Sequence, residues 1–182
     1  MKLMIASDIH GSSYYCEKLL LEFRKERPDK LLLLGDLLYH GPRNELPKDY
    51  NPKEVIGMLN EIKEDILCVR GNCEAEVDQQ VLKFPILAEY AIFYLENRTI
   101  FASHGHKYNE ENPPYLNPGD ILLNGHTHVP RCSEHLNYIY MNPGSVSIPK
   151  ENTANSYMVL DGSSFYWKSL DGYTFKTYDL AN

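Results

Sequence analysis

The sequence lacks long apolar runs. Those it has, such as Leu31–Leu34, fall far below the about 20 residues that a membrane-spanning helix needs. The segment before Asp8 is also too short for a signal peptide, whose apolar region alone takes about 7–15 residues. We therefore expect a chain without a membrane segment.

Cysteine is scarce as well. The chain has four, Cys16, Cys68, Cys73 and Cys132, and no CxxC pair. Disulfide frameworks belong to shorter, secreted, cysteine-dense chains, so this spacing predicts reduced thiols and a cytoplasmic location. Cys16 and Cys68 lie in apolar patterns typical of a core, whereas Cys132 and His135 lie in a predicted polar turn.

Positive charge is in deficit. The 18 Lys and Arg residues are outnumbered by 25 Asp and Glu, which gives a formal net charge of -7 at pH 7. Such a surface repels polyanions, and basic and aromatic residues are not interleaved in a strand-binding stripe. Both features argue against a nucleic-acid partner. The apolar share of 43% is ordinary for a globular protein, and 182 residues predict a single domain, 1–182.

The first seventy residues alternate between strand and helix patterns. Short apolar runs without polar alternation predict buried strands at Leu3–Ser7, Leu31–Leu34 and Ile66–Val69. Apolar residues spaced for one helix face predict helices at Ser13–Arg27 and Pro52–Glu64. The order βαβαβ indicates parallel strands with helices packed on them.

Beyond about residue 85 the pattern is mostly strand. A hairpin is predicted at Ala91–Leu95 and Thr99–Ser103, and Asp-Gly pairs mark later turns. Five more strands are expected, at Ile121–Leu123, Tyr138–Met141, Tyr157–Leu160, Phe165–Lys168 and Tyr173–Tyr178. The chain is therefore predicted to be α/β with two sheets. Aromatic residues of the last strands alternate with polar ones, which predicts core packing, with a homo-oligomer interface as the alternative.

Polar side chains recur where the apolar strands end. Seven of them follow five different strands: Asp8, His10, Asp36, Asn72, His104, His126 and His128. In open α/β sheets the ligand site lies beyond the carboxyl ends of the strands, so we expect these side chains to meet at one rim. Neighbouring glycines let the backbone turn sharply there.

This set of side chains has the chemistry of a transition-metal site. Imidazole nitrogens with carboxylate and amide oxygens suit Zn, Mn, Fe, Co or Ni rather than calcium. Seven ligands are too many for one tetrahedral ion and enough for two ions that share a carboxylate. Two divalent ions, with two charges cancelled by Asp8 and Asp36, would attract a phosphate and depress the pKa of a water between them. Alone, Asp8-x-His10 and Gly71-Asn72 also occur in ordinary turns, whereas His126-x-His128 places two imidazoles on the same face of a strand. The ordered set predicts the metal site.

The strand-end residues come in a particular order: Asp8-x-His10, Gly35-Asp36, Gly71-Asn72, His104 and Gly125-His126-x-His128. This order resembles the signature of the calcineurin-like metallophosphoesterases over residues 1 to about 150. Three stretches are similar to the YfcE-type bacterial phosphodiesterases of that family: His40–Asn44, Val69–Cys73 and Asn142–Ser147. The resemblance implies an αββα sandwich, in which two mixed β-sheets are flanked by helices, with a dinuclear metal centre.

The resemblance also implies a division of the ligands. One ion would be bound by Asp8, His10 and His128. The other would be bound by Asn72, His104 and His126, and Asp36 would bridge the two.

One position holds a different residue from that of many family members. They have a histidine directly after the motif asparagine, where it helps to protonate the leaving group; here that residue is Cys73. A thiol with an ordinary pKa of about 8.5 is a poorer proton donor near neutral pH. We therefore predict a preference for phosphodiesters over alkyl monoesters, with passive packing of Cys73 as the alternative.

Three further residues have weaker signals. Arg43 lies in the long connection 37–51 and is expected either to fork onto a substrate phosphate or to be a solvated loop residue. His40, in the same connection, is either a substrate contact or a surface turn residue. His106 is expected to contact the metal ligands rather than a metal.

The sequence thus predicts a metal-dependent phosphoesterase and favours phosphodiesterase activity. It would use two divalent ions, Mn²⁺ ahead of Zn²⁺, Fe²⁺, Co²⁺ or Ni²⁺, on a small phosphate-ester substrate. The alternatives are a phosphomonoesterase of the same fold and a non-catalytic interaction scaffold. Because every expected position holds a competent ligand, the sequence favours an enzyme.

Overall fold

The computed structural model describes residues 1–180, which form two mixed β-sheets and two α-helices. The helices are α1 (Ser13–Glu26) and α2 (Pro52–Glu61). The strands are β1 (Lys2–Ala6), β2 (Lys30–Leu33), β3 (Ile66–Cys68), β4 (Tyr90–Leu95), β5 (Arg98–Ser103), β6 (Asp120–Leu123), β7 (Pro130–Glu134), β8 (Tyr138–Pro143), β9 (Ser156–Asp161), β10 (Ser164–Ser169) and β11 (Thr174–Asp179).

The first sheet has the strand order β11-β10-β9-β1-β2-β3. Strands β1, β2 and β3 are parallel and are connected through α1 and α2, which confirms the βαβαβ prediction. Strands β9, β10 and β11 extend the sheet antiparallel on the other side of β1. The carboxyl ends of the three parallel strands therefore lie at one edge of this sheet.

Both helices begin at a capped residue and pack on the first sheet. The side chain of Ser12 accepts a hydrogen bond from the N–H of Tyr15 at the start of α1. Asn51 does the same for Glu54 at the start of α2, where Pro52 occupies the first turn. The apolar faces of α1 and α2 form one buried cluster with side chains of β1, β2 and β9.

The second sheet has the order β4-β5-β6-β8-β7, with β5, β6 and β8 parallel and an antiparallel strand at each edge. Its inner face packs on the first sheet around the fully buried Phe165 and Trp167. Core packing of these late aromatics is thus confirmed, as is the two-sheet α/β class. Tyr173 and Phe175, by contrast, are 72% and 39% exposed near the edge of the first sheet.

The outer face of the second sheet is covered by a loop. Its apolar side chains, Phe101, Leu122, Tyr138 and Tyr140, pack against Tyr108 and Leu116 of the segment 104–119. Within residues 1–180, both α-helices lie on the first sheet. The longer one, α1, has 14 residues, and none of the described helices is long and apolar enough to cross a membrane.

Two local predictions are wrong. Cys132 lies in strand β7, opposite Met141, and not in a turn. The sequence of β7 has almost no apolar alternation, because this strand is a partly exposed edge. The sequence Asn142-Pro143-Gly144-Ser145 is also typical of a tight turn lining the rim, and a turn over these four residues is the second prediction. It is displaced, since Asn142 and Pro143 still belong to β8 and the chain first takes a positive φ, 82°, at Gly144.

Candidate metal centre

The seven strand-end side chains meet at one edge of the sandwich. Asp8 and His10 follow β1, Asp36 follows β2 and Asn72 follows β3. The remaining three come from the second sheet, His104 directly after β5 and His126 and His128 after β6. The two sheets therefore present their carboxyl ends to a common site, as predicted.

The backbone at this site is unusual. Five of the seven residues have positive φ angles between 49° and 66°: Asp8, His10, Asp36, His126 and His128. Such values are uncommon for residues other than glycine and cluster at functional sites, where the surrounding structure holds them in place. The turns after β1, β2 and β6 are therefore shaped to direct side chains rather than for local stability.

Three side chains form a first group. The Nε2 atoms of His10 and His128 are 3.2 Å apart, and Asp8 Oδ1 lies 3.6 Å from the first and 3.4 Å from the second. An ion bound about 2.1 Å from two ligands at a tetrahedral angle leaves those ligands about 3.4 Å apart. The triangle of donor atoms thus has the dimensions of a metal site.

A second group surrounds His104. Its Nε2 lies 3.0 Å from Asn72 Oδ1, 3.1 Å from His126 Nδ1 and 3.4 Å from Asp36 Oδ2. Asp36 Oδ2 is also 3.7 Å from His10 Nε2 in the first group. Asp36 therefore lies between the two groups, where a bridging carboxylate would have to be.

The outer nitrogens of three histidines decide which atoms face the site. Nδ1 of His10, His104 and His128 lies 2.7, 2.7 and 2.6 Å from the carbonyl oxygens of Tyr39, Leu34 and Ile148, respectively. A carbonyl oxygen only accepts, so each Nδ1 carries the proton and donates. In the neutral ring Nε2 then points an unprotonated lone pair into the site, the arrangement typical of metal-binding histidine.

One buried atom has no partner without an ion. Asp8 Oδ1 is fully buried and makes no hydrogen bond, whereas Asp8 Oδ2 accepts one from the N–H of His126 at 3.1 Å. Burial raises the pKa of Asp8, but the nearby imidazoles of His10, His104 and His128 outweigh it and hold the pKa well below its usual range. The carboxylate is thus ionised and faces the paired lone pairs of His10 and His128, so the residues fit a divalent cation.

The comparisons agree with this geometry. The family model for the "Calcineurin-like phosphoesterase superfamily domain" matches residues 1–164. The chain belongs to this superfamily. Among curated proteins, it is 48% identical over 161 residues to phosphodiesterase YfcE of Escherichia coli K12, covering 88% of each chain.

Solved structures show the same relationship. A structure of E. coli YfcE, described as a phosphoesterase, superposes with a TM-score of 0.96 at 43% identity over 100% of both chains. Vps29 of Entamoeba histolytica, solved in complex with Zn²⁺, shares the fold with a TM-score of 0.64 at 20% identity over 100% of both chains. The predicted membership of the calcineurin-like family and its fold are confirmed.

The two histidines of the second group, His104 and His126, differ in their pKa. Burial lowers the pKa of His104, but the hydrogen bond with Asp36 and the nearby carboxylates raise it to about 9. Burial and the charge of His104 lower the pKa of His126 to about 4. At neutral pH His126 is therefore uncharged, and a cation at this group competes with the proton on His104.

A buried carboxylate that the sequence analysis missed braces the site. Glu74 accepts hydrogen bonds from the backbone N–H groups of Asp36 at 2.9 Å, Leu37 at 2.7 Å and Gly71 at 2.5 Å. Burial and the charge of Asp36 raise its pKa. Glu74 thus ties the turn after β2 to the turn that carries Asn72, although in the sequence it is only an acidic residue beside a turn.

An open cleft of about 390 Å³ lies over both groups. Its lining includes Arg43, whose contact with a substrate stays a prediction, and two residues that sequence reasoning missed, Asn44 and Lys150. His40 lies outside this lining; its ring packs edge-on against Tyr39 and Tyr50, with centroids 4.8 and 5.2 Å away. A substrate contact by His40 is therefore not favoured by the geometry.

Cys73 lines the cleft between the groups. Its N–H donates to Asp36 Oδ1 at 2.8 Å, and its Sγ accepts from Asn72 Nδ2 at 3.3 Å. Burial, and then the charge of Asp36, raise the pKa of the thiol, so it stays protonated at neutral pH. His106 lies beside two candidate ligands, with its ring centroid 5.5 Å from that of His104 and 6.3 Å from that of His126.

Proposed function

We propose that this protein is a metal-dependent phosphodiesterase with two divalent ions at the strand-end site, Mn²⁺ first among the candidates. The observation that carries the proposal is the pair of donor groups with metal-site dimensions, with Asp36 between them. Its similarity to phosphodiesterase YfcE supports the same substrate class. The single-domain division and the cytoplasmic location remain predictions.

The residues proposed to hold the ions are those expected from the sequence. Asp8, His10 and His128 would hold one ion, and Asn72, His104 and His126 the other, with Asp36 shared. When bound, two divalent ions supply Lewis acidity, which acidifies a water and polarises the phosphoryl oxygens.

The protein itself contributes position and charge. Backbone carbonyls fix the three histidine tautomers, and the N–H of His126 and the turn braced by Glu74 fix Asp8 and Asp36. Arg43, which lines the cleft, is placed to donate to phosphate oxygens. Fixed donors and charges of this kind stabilise charge that develops in the transition state.

Cys73 limits the choice of leaving group. Its thiol keeps its proton too tightly to be an efficient acid, because burial and Asp36 raise its pKa. Esters whose leaving group departs without protonation are therefore expected to react faster than alkyl monoesters.

The test is an assay of chelator-stripped protein with bis(p-nitrophenyl) phosphate, p-nitrophenyl phosphate and an alkyl monoester, with each metal restored singly. We expect Mn²⁺ to restore turnover, with the diester fastest. Asp36→Asn should lower turnover more than about a hundredfold, whereas Asp65→Asn, at a half-exposed side chain outside the cleft lining, should not lower it. Faster turnover of both monoesters would instead indicate a phosphomonoesterase, and no turnover with any ion would favour a scaffold.

A further inference from the structure

Two cationic side chains at the cleft are not paired with other groups of the described chain. Arg43 and Lys150 both line the cleft and are exposed. Neither side chain makes a hydrogen bond or an ion pair with another group of residues 1–180. Elsewhere in the described chain, many lysines are paired with carboxylates or lie over aromatic rings. These two charges are therefore available to a ligand.

Arg43 is presented by a closed turn. The side-chain amide of Asn44 donates to the carbonyl of His40 at 2.8 Å, and its backbone N–H donates to the carbonyl of Gly41 at 3.3 Å. Gly41 has a φ of 79°, which allows the turn, and a Cβ built on it would lie 3.5 Å from Cys73 Sγ. The turn thus fixes the backbone of Arg43 at the Cys73 side of the cleft.

Lys150 is presented in a similar way. Its N–H donates to the carbonyl of His128 at 3.2 Å, and its carbonyl accepts from the N–H and the hydroxyl of Thr153 at 3.0 and 2.7 Å. The two residues between, Glu151 and Asn152, have φ angles of 54° and 58°. Lys150 is therefore held beside the His128 end of the site by a tight, hydrogen-bonded turn.

The charge at the site exceeds what a simple diester needs. Two divalent ions bring four positive charges, of which Asp8 and Asp36 cancel two, and Arg43 and Lys150 add two more. A simple phosphodiester carries only one negative charge. A terminal phosphate carries about -1.5 to -2 near pH 7, which matches the two extra cations. The arginine fork also suits a phosphate better than a single carboxylate oxygen.

The size of the cleft limits the substrate. At about 390 Å³ it is near the lower end of ligand pockets, which span about 300–1,000 Å³. We propose, resting on the function proposed above, that the substrate is a small phosphodiester with a second phosphate on one arm, and that Arg43 and Lys150 bind this second phosphate. Lys150 is thereby a specificity-determining residue.

The kinetic test uses two substrates that differ only in the distal phosphate. These are the p-nitrophenyl ester of thymidine 5′-phosphate and the same ester with a 3′-phosphate, assayed on the Mn²⁺-loaded enzyme. We expect kcat/KM to be about tenfold higher for the phosphorylated ester, because two partly exposed charge-assisted contacts are gained. Arg43→Met and Lys150→Met should each reduce this ratio about threefold, whereas Lys150→Arg should retain most of it.

A binding test does not depend on catalysis. Thymidine 3′,5′-bisphosphate and thymidine 5′-phosphate are titrated calorimetrically into Mn²⁺-loaded protein, so that the two compounds differ only in the distal phosphate. The bisphosphate is expected to bind about tenfold more tightly, and the double variant R43M/K150M should lose this difference. The matched controls are Arg24→Met and Lys53→Met, exposed cations outside the cleft lining, which should keep both ratios.

The outcomes separate the two proposals. Equal kcat/KM and equal affinity for the paired compounds, or a difference that survives in the double variant, would overturn this inference. Absence of turnover of either ester with any ion would count against the phosphodiesterase function alone. In that case the calorimetric difference and its loss in R43M/K150M still decide whether Arg43 and Lys150 bind a distal phosphate.

Discussion

Replacing Glu74 by glutamine tests whether a brace outside the donor set organises the site. The carboxylate of Glu74 accepts three backbone hydrogen bonds, two through Oε2 and one through Oε1. Glutamine offers a single acceptor oxygen. With that oxygen at the Oε2 position, the amide NH₂ faces the N–H of Leu37, donor against donor.

The expected loss follows from these contacts. One buried N–H left unpaired costs about 1–3 kcal/mol, and the two remaining bonds lose their charge assistance. Relief from burying a carboxylate offsets part of this, since burial raises the pKa of Glu74. We expect Glu74→Gln to lower the free energy of unfolding by about 2 kcal/mol, which corresponds to a Tm about 4–8 °C lower for a chain of this size.

The assay is calorimetric unfolding in chelator, followed by Mn²⁺ titration of the folded protein. Mn²⁺ affinity should fall about 10–100-fold, because Glu74 orients the turn that carries Asp36. The control is Glu76→Gln, since this side chain is 79% exposed and lies 3.5 Å from Arg70. A Tm and a Mn²⁺ affinity of Glu74→Gln equal to those of Glu76→Gln would refute the brace.

Four further substitutions, the last of them a control, have expected results of their own. Cys73→His should raise turnover of alkyl monoesters relative to diesters, because the imidazole is a better proton donor near neutral pH; the ratio of kcat/KM values measures this. Burial raises the pKa of Glu26, but hydrogen bonds from two lysines lower it overall, so Glu26→Gln should destabilise the protein at pH 7. In urea unfolding, this difference from the wild type should disappear as the pH falls below 4.5 and through the lowered pKa. Gly125→Ala should lower the free energy of unfolding in urea by about 1–3 kcal/mol, because a Cβ would lie 1.9 Å from Ser7 Oγ. The control Gly57→Ala, where a Cβ would have no atom within 4 Å, should stabilise α2 by about 0.5–1 kcal/mol.

Each of these expectations has a contrary outcome. An unchanged ester ratio in Cys73→His would leave Cys73 as passive packing. A stability deficit of Glu26→Gln that does not shrink as the pH falls below 4.5 would mean that the lost contacts do not depend on the carboxylate charge. Equal effects of alanine at Gly125 and Gly57 would contradict the crowding beside Asp8.

The first sheet was predictable because its signals are local. The runs that became β1 and β2 are buried on both faces, whereas the edge strand β3 buries Ile66 and exposes Leu67. The helices between these strands carry one apolar face each. Strand β7 was not predictable, because residues 130–134 form a partly exposed edge whose pairing with β8 depends on the second sheet. No pattern within the five residues Pro-Arg-Cys-Ser-Glu encodes that partner.

The candidate site was likewise predictable only in part. The seven donor residues stand directly after strands, so their meeting at one edge follows from topology. Glu74 and Lys150 act through turns whose hydrogen bonds reach distant segments, Glu74 to the turn after β2 and Lys150 to His128. A lone glutamate or lysine in a loop carries no sequence signal for such contacts, and His40 shows the reverse, a suggestive residue that packs against tyrosines.

The most direct measurement is anomalous diffraction from a crystal soaked in Mn²⁺. Two peaks about 3.5–4 Å apart are expected, one beside Asp8, His10 and His128 and the other beside Asn72, His104 and His126, with Asp36 between them. A single peak, peaks away from these residues, or no bound manganese at all would contradict a dinuclear centre.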